Sequence, residues 1–180
     1  VGMCGIVGIV GNKPASERIY NALKTLEYRG YDSSGVALAQ NGEITLYKKQ
    51  GMVKAMEEIA LSGDTSGSTG IAHTRWATHG QPSDENAHPH VSKSGNLVLV
   101  HNGIIENYQA LKELLIENGF EFHSETDTEV LVNFIQYIQD QEGCDLKRAV
   151  RIALTQVIGA YAICIYDKNN PEEVVVAKLG

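Results

Sequence analysis

Apolar residues in this chain follow two rhythms, unbroken blocks and sets spaced by three and four, and the two rhythms alternate along its length. The first block, Ile6-Val7-Gly8-Ile9-Val10, reads as a short buried strand. Behind Pro14, which suits a first helical turn, Ile19, Ala22, Leu23 and Leu26 recur at helical spacing and predict a helix packed on a sheet. Residues 36–39 and 43–48 flank Asn41-Gly42, a strong signal for a two-residue hairpin connection, so this part is expected to be antiparallel. Met52, Met56, Ile59 and Ala60 suggest a short helix, and the Gly-, Ser- and Thr-rich residues 62–68 a surface loop. Residues 71–76 read as a strand running into a dense polar stretch, 72–80. Residues 81–94 show no periodicity. Leu97-Val98-Leu99-Val100 then has no polar face at all and predicts a strand buried on both sides, delivering His101-Asn102-Gly103 at its end.

The second half is more helical. Tyr108, Leu111, Leu114 and Leu115 predict an amphipathic helix over 107–118, closed by Asn118-Gly119. A short strand is expected at 120–122. Ser124-Glu125-Thr126-Asp127 precedes a second helix with Val130, Leu131, Phe134, Ile135 and Ile138 on one face, which puts Asp127 near a helix N-terminus. Leu146, Ala149, Val150, Ala153 and Val157 mark a further helix. Residues 159–166 and 173–177, joined by 167–171, read as a final hairpin, with Cys164 most simply part of the core. Hairpins toward both ends with helices grouped between them predict one α+β layered domain built on largely antiparallel sheets. There is no internal repeat, low-complexity tract or linker to mark a second domain.

Composition narrows the function. A net charge of −7 is spread along the sequence without the basic patch that a phosphate backbone requires, which argues against nucleic acid. No apolar run approaches the ~20 residues that cross a bilayer, and no basic-then-apolar segment opens the chain, so a soluble, cytoplasmic protein with no membrane partner is expected. Three cysteines, Cys4, Cys144 and Cys164, are an odd count that fits a reducing compartment better than a disulfide framework. The six histidines include His73, His79, His88 and His90 in neighbouring loops, but the His-Glu-x-x-His and paired-cysteine spacings of metal sites are absent. Gly5, Gly8 and Gly11 do not make a dinucleotide fingerprint. No metal and no cofactor is expected.

Four features carry candidate chemistry. Cys4 opens the first strand, and Gly5 beside it lets a substrate approach the sulfur. With Met3 removed, Cys4 presents both a thiol and an α-amine whose ordinary pKa is about 7.7 to 8.0, able to act as base toward its own side chain. The plainer alternative is a buried cysteine acting as a small hydrophobe. Arg75 at one strand end offers a fork for a carboxylate, and Asp127 offers a partner for an ammonium, so together they suit the two backbone ends of an α-amino acid. The Asn102 amide and the Gly103 N–H suit an oxyanion. Singly, each has an ordinary explanation: a surface ion pair, a turn, a helix cap.

Five stretches carry a family resemblance: Met3-Cys4-Gly5-Ile6-Val7-Gly8, residues 26–33 (Leu-Glu-Tyr-Arg-Gly-Tyr-Asp-Ser), residues 70–80 around Arg75-Trp76, Val100-His101-Asn102-Gly103 through Asn107, and Ser124 through Glu129. In this order they resemble the class II glutamine amidotransferases. The resemblance implies the N-terminal nucleophile hydrolase fold, a four-layer α/β/β/α sandwich with two mainly antiparallel sheets between helical layers. It implies hydrolysis of L-glutamine to glutamate and ammonia through a γ-glutamyl thioester. By the same resemblance, Cys4 is the nucleophile with its freed α-amine as base, Asn102 and Gly103 form the oxyanion hole, and Arg75 and Asp127 bind the α-carboxylate and α-amine of glutamine. Thr78 and His79 fall in the loop that closes over glutamine, and Trp76 falls where ammonia leaves. Within the family the motifs at 28–33 and 74–80 favour the branch that feeds ammonia to a C-terminal sugar-phosphate isomerase domain acting on fructose 6-phosphate, a homodimer at full length. On that reading Val1-Gly2-Met3 is an expression scar plus initiator methionine, residues 4–180 are the glutaminase domain, and the isomerase domain is absent from this chain. Two alternatives stand: the glutaminase domain of a purine-pathway or asparagine-forming member, and a non-catalytic interaction module with Cys4 in its core.

Overall fold

The computed structural model describes residues 5–10, 33–40, 43–50 and 69–75 as backbone and residues 89–179 in full apart from the side chains of Pro171 and Glu172. The first four stretches are strands β1 (Gly5–Val10), β2 (Ser33–Gln40), β3 (Glu43–Gln50) and β4 (Thr69–Arg75). They form one antiparallel sheet in the order β1-β4-β2-β3. Gln40 pairs with Glu43, the register that a two-residue connection at Asn41-Gly42 requires. Gly5 pairs with Thr74, and Ser33 with Arg75, so the end of β4 lies beside the start of β1 and of β2.

A second antiparallel sheet has the order β5-β6-β7-β8, from β5 (His90–Val91), β6 (Leu97–Gly103), β7 (Tyr161–Asp167) and β8 (Asn170–Leu179). Helices α1 (Tyr108–Glu117), α2 (Asp127–Glu142) and α3 (Leu146–Leu154) lie in sequence between β6 and β7. Strand β6 fulfils the expectation of burial on both faces, since Leu97, Val98, Leu99 and Val100 are all fully buried. Leu97 and Leu99 join the main core with Leu115, Leu131, Ile135, Val150 and Ala153 from the helices. Val98 and Val100 point the opposite way and form a separate cluster with Cys164 and Tyr166 on β7. The backbones of β1 and β4 come against β6, so that second cluster faces the first sheet. Helix, sheet and facing sheet are thus three layers held through β6, each fully buried Leu or Val contributing about 1.5–3 kcal/mol. The helices expected at 14–26 and 52–60, which the four-layer picture needs on the other face of the first sheet, lie outside the described residues.

Three expectations need correction. Residues 120–122 are not a strand: after the turn at Asn118-Gly119 the Phe120 N–H returns to the Leu115 carbonyl, and its ring packs edge-on against Tyr137 in the core. Helix α3 stops at Leu154, earlier than the apolar spacing suggested, and Val157 is buried from the following turn instead. The last hairpin turns more tightly than expected, with Asp167 paired to Asn170 and Pro171 inside β8. Pro171 is tolerated there because β8 is an edge strand. Among the described residues no helix is long and apolar enough to cross a membrane.

Candidate functional site

The apolar run of β6 ends in three residues of a different kind. His101 is buried, Asn102 half-buried and Gly103 exposed, so the strand emerges from the core at this point. Gly103 has φ 122, and a Cβ there would run into the Ala160 carbonyl oxygen, so only glycine fits.

Against this strand end sits the N-terminus of α2. Its cap is Thr126, in extended conformation, whose hydroxyl accepts from the Glu129 N–H at 3.3 Å. Asp127 is therefore in the first turn, one residue past the cap. Its carboxylate reaches out of the helix, where Oδ2 accepts the Ile105 N–H at 2.8 Å. The other oxygen, Oδ1, lies 4.0 Å from His101 Nδ1. His101 Nδ1 is also 2.9 Å from the Thr128 hydroxyl. Asp127, Thr128 and Glu129 are all at most 5% exposed, an unusual depth for a first turn, and the positive end of the helix favours an anion here. Glu129 turns the other way and accepts from the N–H groups of His123 (3.0 Å) and Ser124 (2.7 Å) and from the Ser124 hydroxyl (2.7 Å), which fixes the turn before the helix. His90 on β5 completes the support through a 2.9 Å contact between its Nε2 and the Thr126 hydroxyl.

The structure thus gathers Asn102, Gly103 and Asp127 into one neighbourhood. Arg75 closes β4 on the facing sheet, one residue past the partner of Gly5. Cys4, Trp76, Thr78 and His79 lie outside the described residues. The sequence reads Asp127 as a cap or as the partner of Arg75 in a substrate clamp, and gives Thr126, Thr128 and Glu129 no role of their own. The spacing Thr126-x-x-Glu129, a capping-box pattern, was the available signal. Among the described residues the buried thiol, Cys164, belongs to the core: burial pushes it up to about 12, so it stays protonated and inert. Burial likewise pushes the Tyr166 phenol up. Among the described residues no group of three or more His, Cys, Asp or Glu side chains is placed to hold a metal ion.

Residues 62–178 match the family model of the glutamine amidotransferase domain. The chain belongs to this family. It is 54% identical over 98% of its length to glutamine–fructose-6-phosphate aminotransferase (isomerizing) of Bacteroides thetaiotaomicron, and covers 29% of that protein. The enzyme of the same name from Chlorobaculum tepidum is 50% identical over 99% of the chain, of which the chain covers 30%. The chain therefore spans under a third of the length of the curated relatives it matches. Among solved structures it is similar to glutamine phosphoribosylpyrophosphate amidotransferase from B. subtilis, with a TM-score of 0.80 and 30% identity, covering 96% of this chain and 36% of that one. The class II amidotransferase resemblance read from the five motifs is borne out, and with it the α+β fold of the N-terminal nucleophile hydrolase type.

Proposed function

We propose that residues 4–180 are a glutaminase domain that hydrolyses L-glutamine at Cys4 and, in a longer homodimeric cytoplasmic protein, passes the ammonia to a sugar-phosphate isomerase domain that makes glucosamine 6-phosphate from fructose 6-phosphate. The observation that carries the reading is the 2.8 Å bond from Ile105 N–H to Asp127, which ties a candidate ammonium partner to the same loop as the candidate oxyanion donors. In glutamine the α-amine and the γ-carbonyl belong to one small molecule, so these two recognition groups have to be held at a fixed separation.

The chemistry follows from the residue types. The α-amine of a Cys4 freed at its N-terminus takes the thiol proton, and the sulfur attacks the γ-carbonyl carbon. The carbonyl electron pair moves to oxygen, where the Asn102 amide and the Gly103 N–H donate to it, in the manner that is usually the largest single term in acyl transfer. Collapse expels ammonia, which carries off the proton held by the amine, and leaves a γ-glutamyl thioester. The same amine then activates water, which displaces the thiolate and yields glutamate. Arg75 and Asp127 hold the substrate's carboxylate and ammonium throughout, a placement that turns a bimolecular encounter into an effectively unimolecular step. Thr78 and His79 belong to the loop that closes over the bound amino acid and keeps water out, and Trp76 stands where ammonia leaves.

The test is product analysis on protein processed to begin at Cys4. Ammonia should be released from glutamine in step with glutamate, with no amino sugar formed from fructose 6-phosphate by these residues alone. No ammonia from the processed protein would refute the glutaminase reading, and glucosamine 6-phosphate from it would refute the division of labour.

A further inference from the structure

The loop that follows Gly103 is held by a second set of residues that the glutaminase chemistry leaves unexplained. Asn107 occupies the N-cap position of α1, yet its side chain makes no capping bond. It is turned outward onto the segment that enters β7: Nδ2 donates to the Gln156 carbonyl at 2.8 Å and Oδ1 accepts the Ile158 N–H at 2.9 Å. Main-chain bonds continue the pairing, from Glu106 N–H to the Ile158 carbonyl at 2.7 Å and from Ile104 N–H to the Ala160 carbonyl at 3.3 Å. The two segments touch so closely that each carries a glycine where the other's carbonyl arrives. A Cβ on Gly103 would strike Ala160 O, and a Cβ on Gly159, at φ 142, would strike Ile104 O. Beyond this crossing Gly103 is paired with Tyr161 in the sheet. The Gly103 peptide is therefore pinned from the sheet on one side and from residues 104–107 on the other.

We propose that Asn107 and Gly159 are positioning residues that clasp segment 156–160 to segment 104–107 and so fix the aim of the Asn102 and Gly103 oxyanion donors. The inference rests on the oxyanion role proposed above. An asparagine at a helix start ordinarily caps its own helix, and forgoing that bond to grip another segment is the cost of the clasp. Oxyanion stabilisation depends on donors already aimed at where charge develops, and a displacement of about 1 Å can cost 10²-fold. Neither residue is among those assigned to hold glutamine, so loosening them should slow chemistry and leave binding intact.

The experiment compares Asn107→Ala, Gly159→Ala and Asn102→Ala in the processed protein, by steady-state glutaminase kinetics and by the rate at which iodoacetamide alkylates Cys4, followed by mass on the Cys4 peptide. Alkylation is a displacement at saturated carbon and develops no oxyanion, so it reports an intact nucleophile independently of the hole. Asn107→Ala should lower kcat about tenfold and Gly159→Ala about a hundredfold, with KM within about twofold and alkylation of Cys4 unchanged. Gly159→Ala also tests the fold, whereas Asn107 is only half-buried and its truncation leaves the core untouched. If Asn107→Ala turns over at the parental rate while Asn102→Ala is slow, the clasp is wrong and the oxyanion role stands. If Asn107→Ala loses turnover and alkylation together, the residue acts on the whole site and the positioning role is overturned. If Asn102→Ala itself is fully active, the oxyanion reading falls and the clasp with it.

Discussion

Helices α2 and α3 both start with a side-chain cap and carboxylates at or just past it, and the two starts use them differently. At α3, Asp145 is exposed and its carboxylate accepts the Arg148 N–H at 2.9 Å, capping its own helix and reaching no further. At α2 a neutral threonine takes the cap, and two buried carboxylates past it reach out of the helix. Asp127 holds the Ile105 amide that follows the strand end, and Glu129 holds the turn at His123 and Ser124. An acidic residue at a helix start is thus no indication of function by itself. What distinguishes a candidate site is a carboxylate past the cap, placed in the protein interior with an oxygen turned to another element.

The largest effects should come from breaking α2's side of this contrast at Asp127. Asp127→Ala removes both the acceptor for Ile105 and the charge for the substrate ammonium, and losing one partner of a buried charge pair costs about 2–5 kcal/mol, so kcat/KM for glutamine should fall about 10³-fold in steady-state assays. Asp127→Asn keeps an acceptor for the Ile105 N–H and should raise KM with a smaller loss in kcat. Equal kinetics in the two variants would show that the hydrogen bond to the loop contributes nothing. Arg75→Lys, at the other end of the substrate, should raise KM about tenfold, since an ammonium cannot reproduce the planar fork. An unchanged KM would remove Arg75 from carboxylate binding.

Glu129→Ala should act on the fold. Removing a buried acceptor of three donor groups strands the amides of His123 and Ser124, and the loss, read by chemical denaturation, should be about 3 kcal/mol. The smallest change belongs to the α3 start: Asp145→Ala should cost about 1 kcal/mol as a lost cap and leave glutaminase kinetics alone. A larger penalty at Asp145 than at Glu129 would reverse the contrast between the two turns.

Much of the fold was legible because apolar blocks have only one place to go. The pure hydrophobic run at 97–100 announced a strand buried on both faces, and Asn41-Gly42 announced the β2–β3 hairpin, since both signals are local. The strand expected at 120–122 failed because its apolar residues were drawn into the helical core through Phe120 and Tyr137, a long-range contact that no local pattern reports. The same reason hid the interior of the site. Asn102, Gly103 and Asp127 were visible as residue types, but the pairing of Asp127 with Ile105 spans 22 residues of separation and that of Asn107 with Ile158 spans 51. Gly159 looked like a strand start, and only the close approach of Ile104 explains it.

The central claim is that Cys4 serves as nucleophile with its own α-amine as base, and it is tested most directly by glutaminase turnover of two proteins, one retaining Val1-Gly2-Met3 and one beginning at Cys4, with intact mass confirming each N-terminus. While Met3 is attached the nitrogen of Cys4 is an amide and accepts no proton near neutral pH. General base catalysis is worth about 10²- to 10⁴-fold, so the extended protein should be slower by that factor. Equal turnover would contradict the account and move the search for the base to His73, His79 or His101.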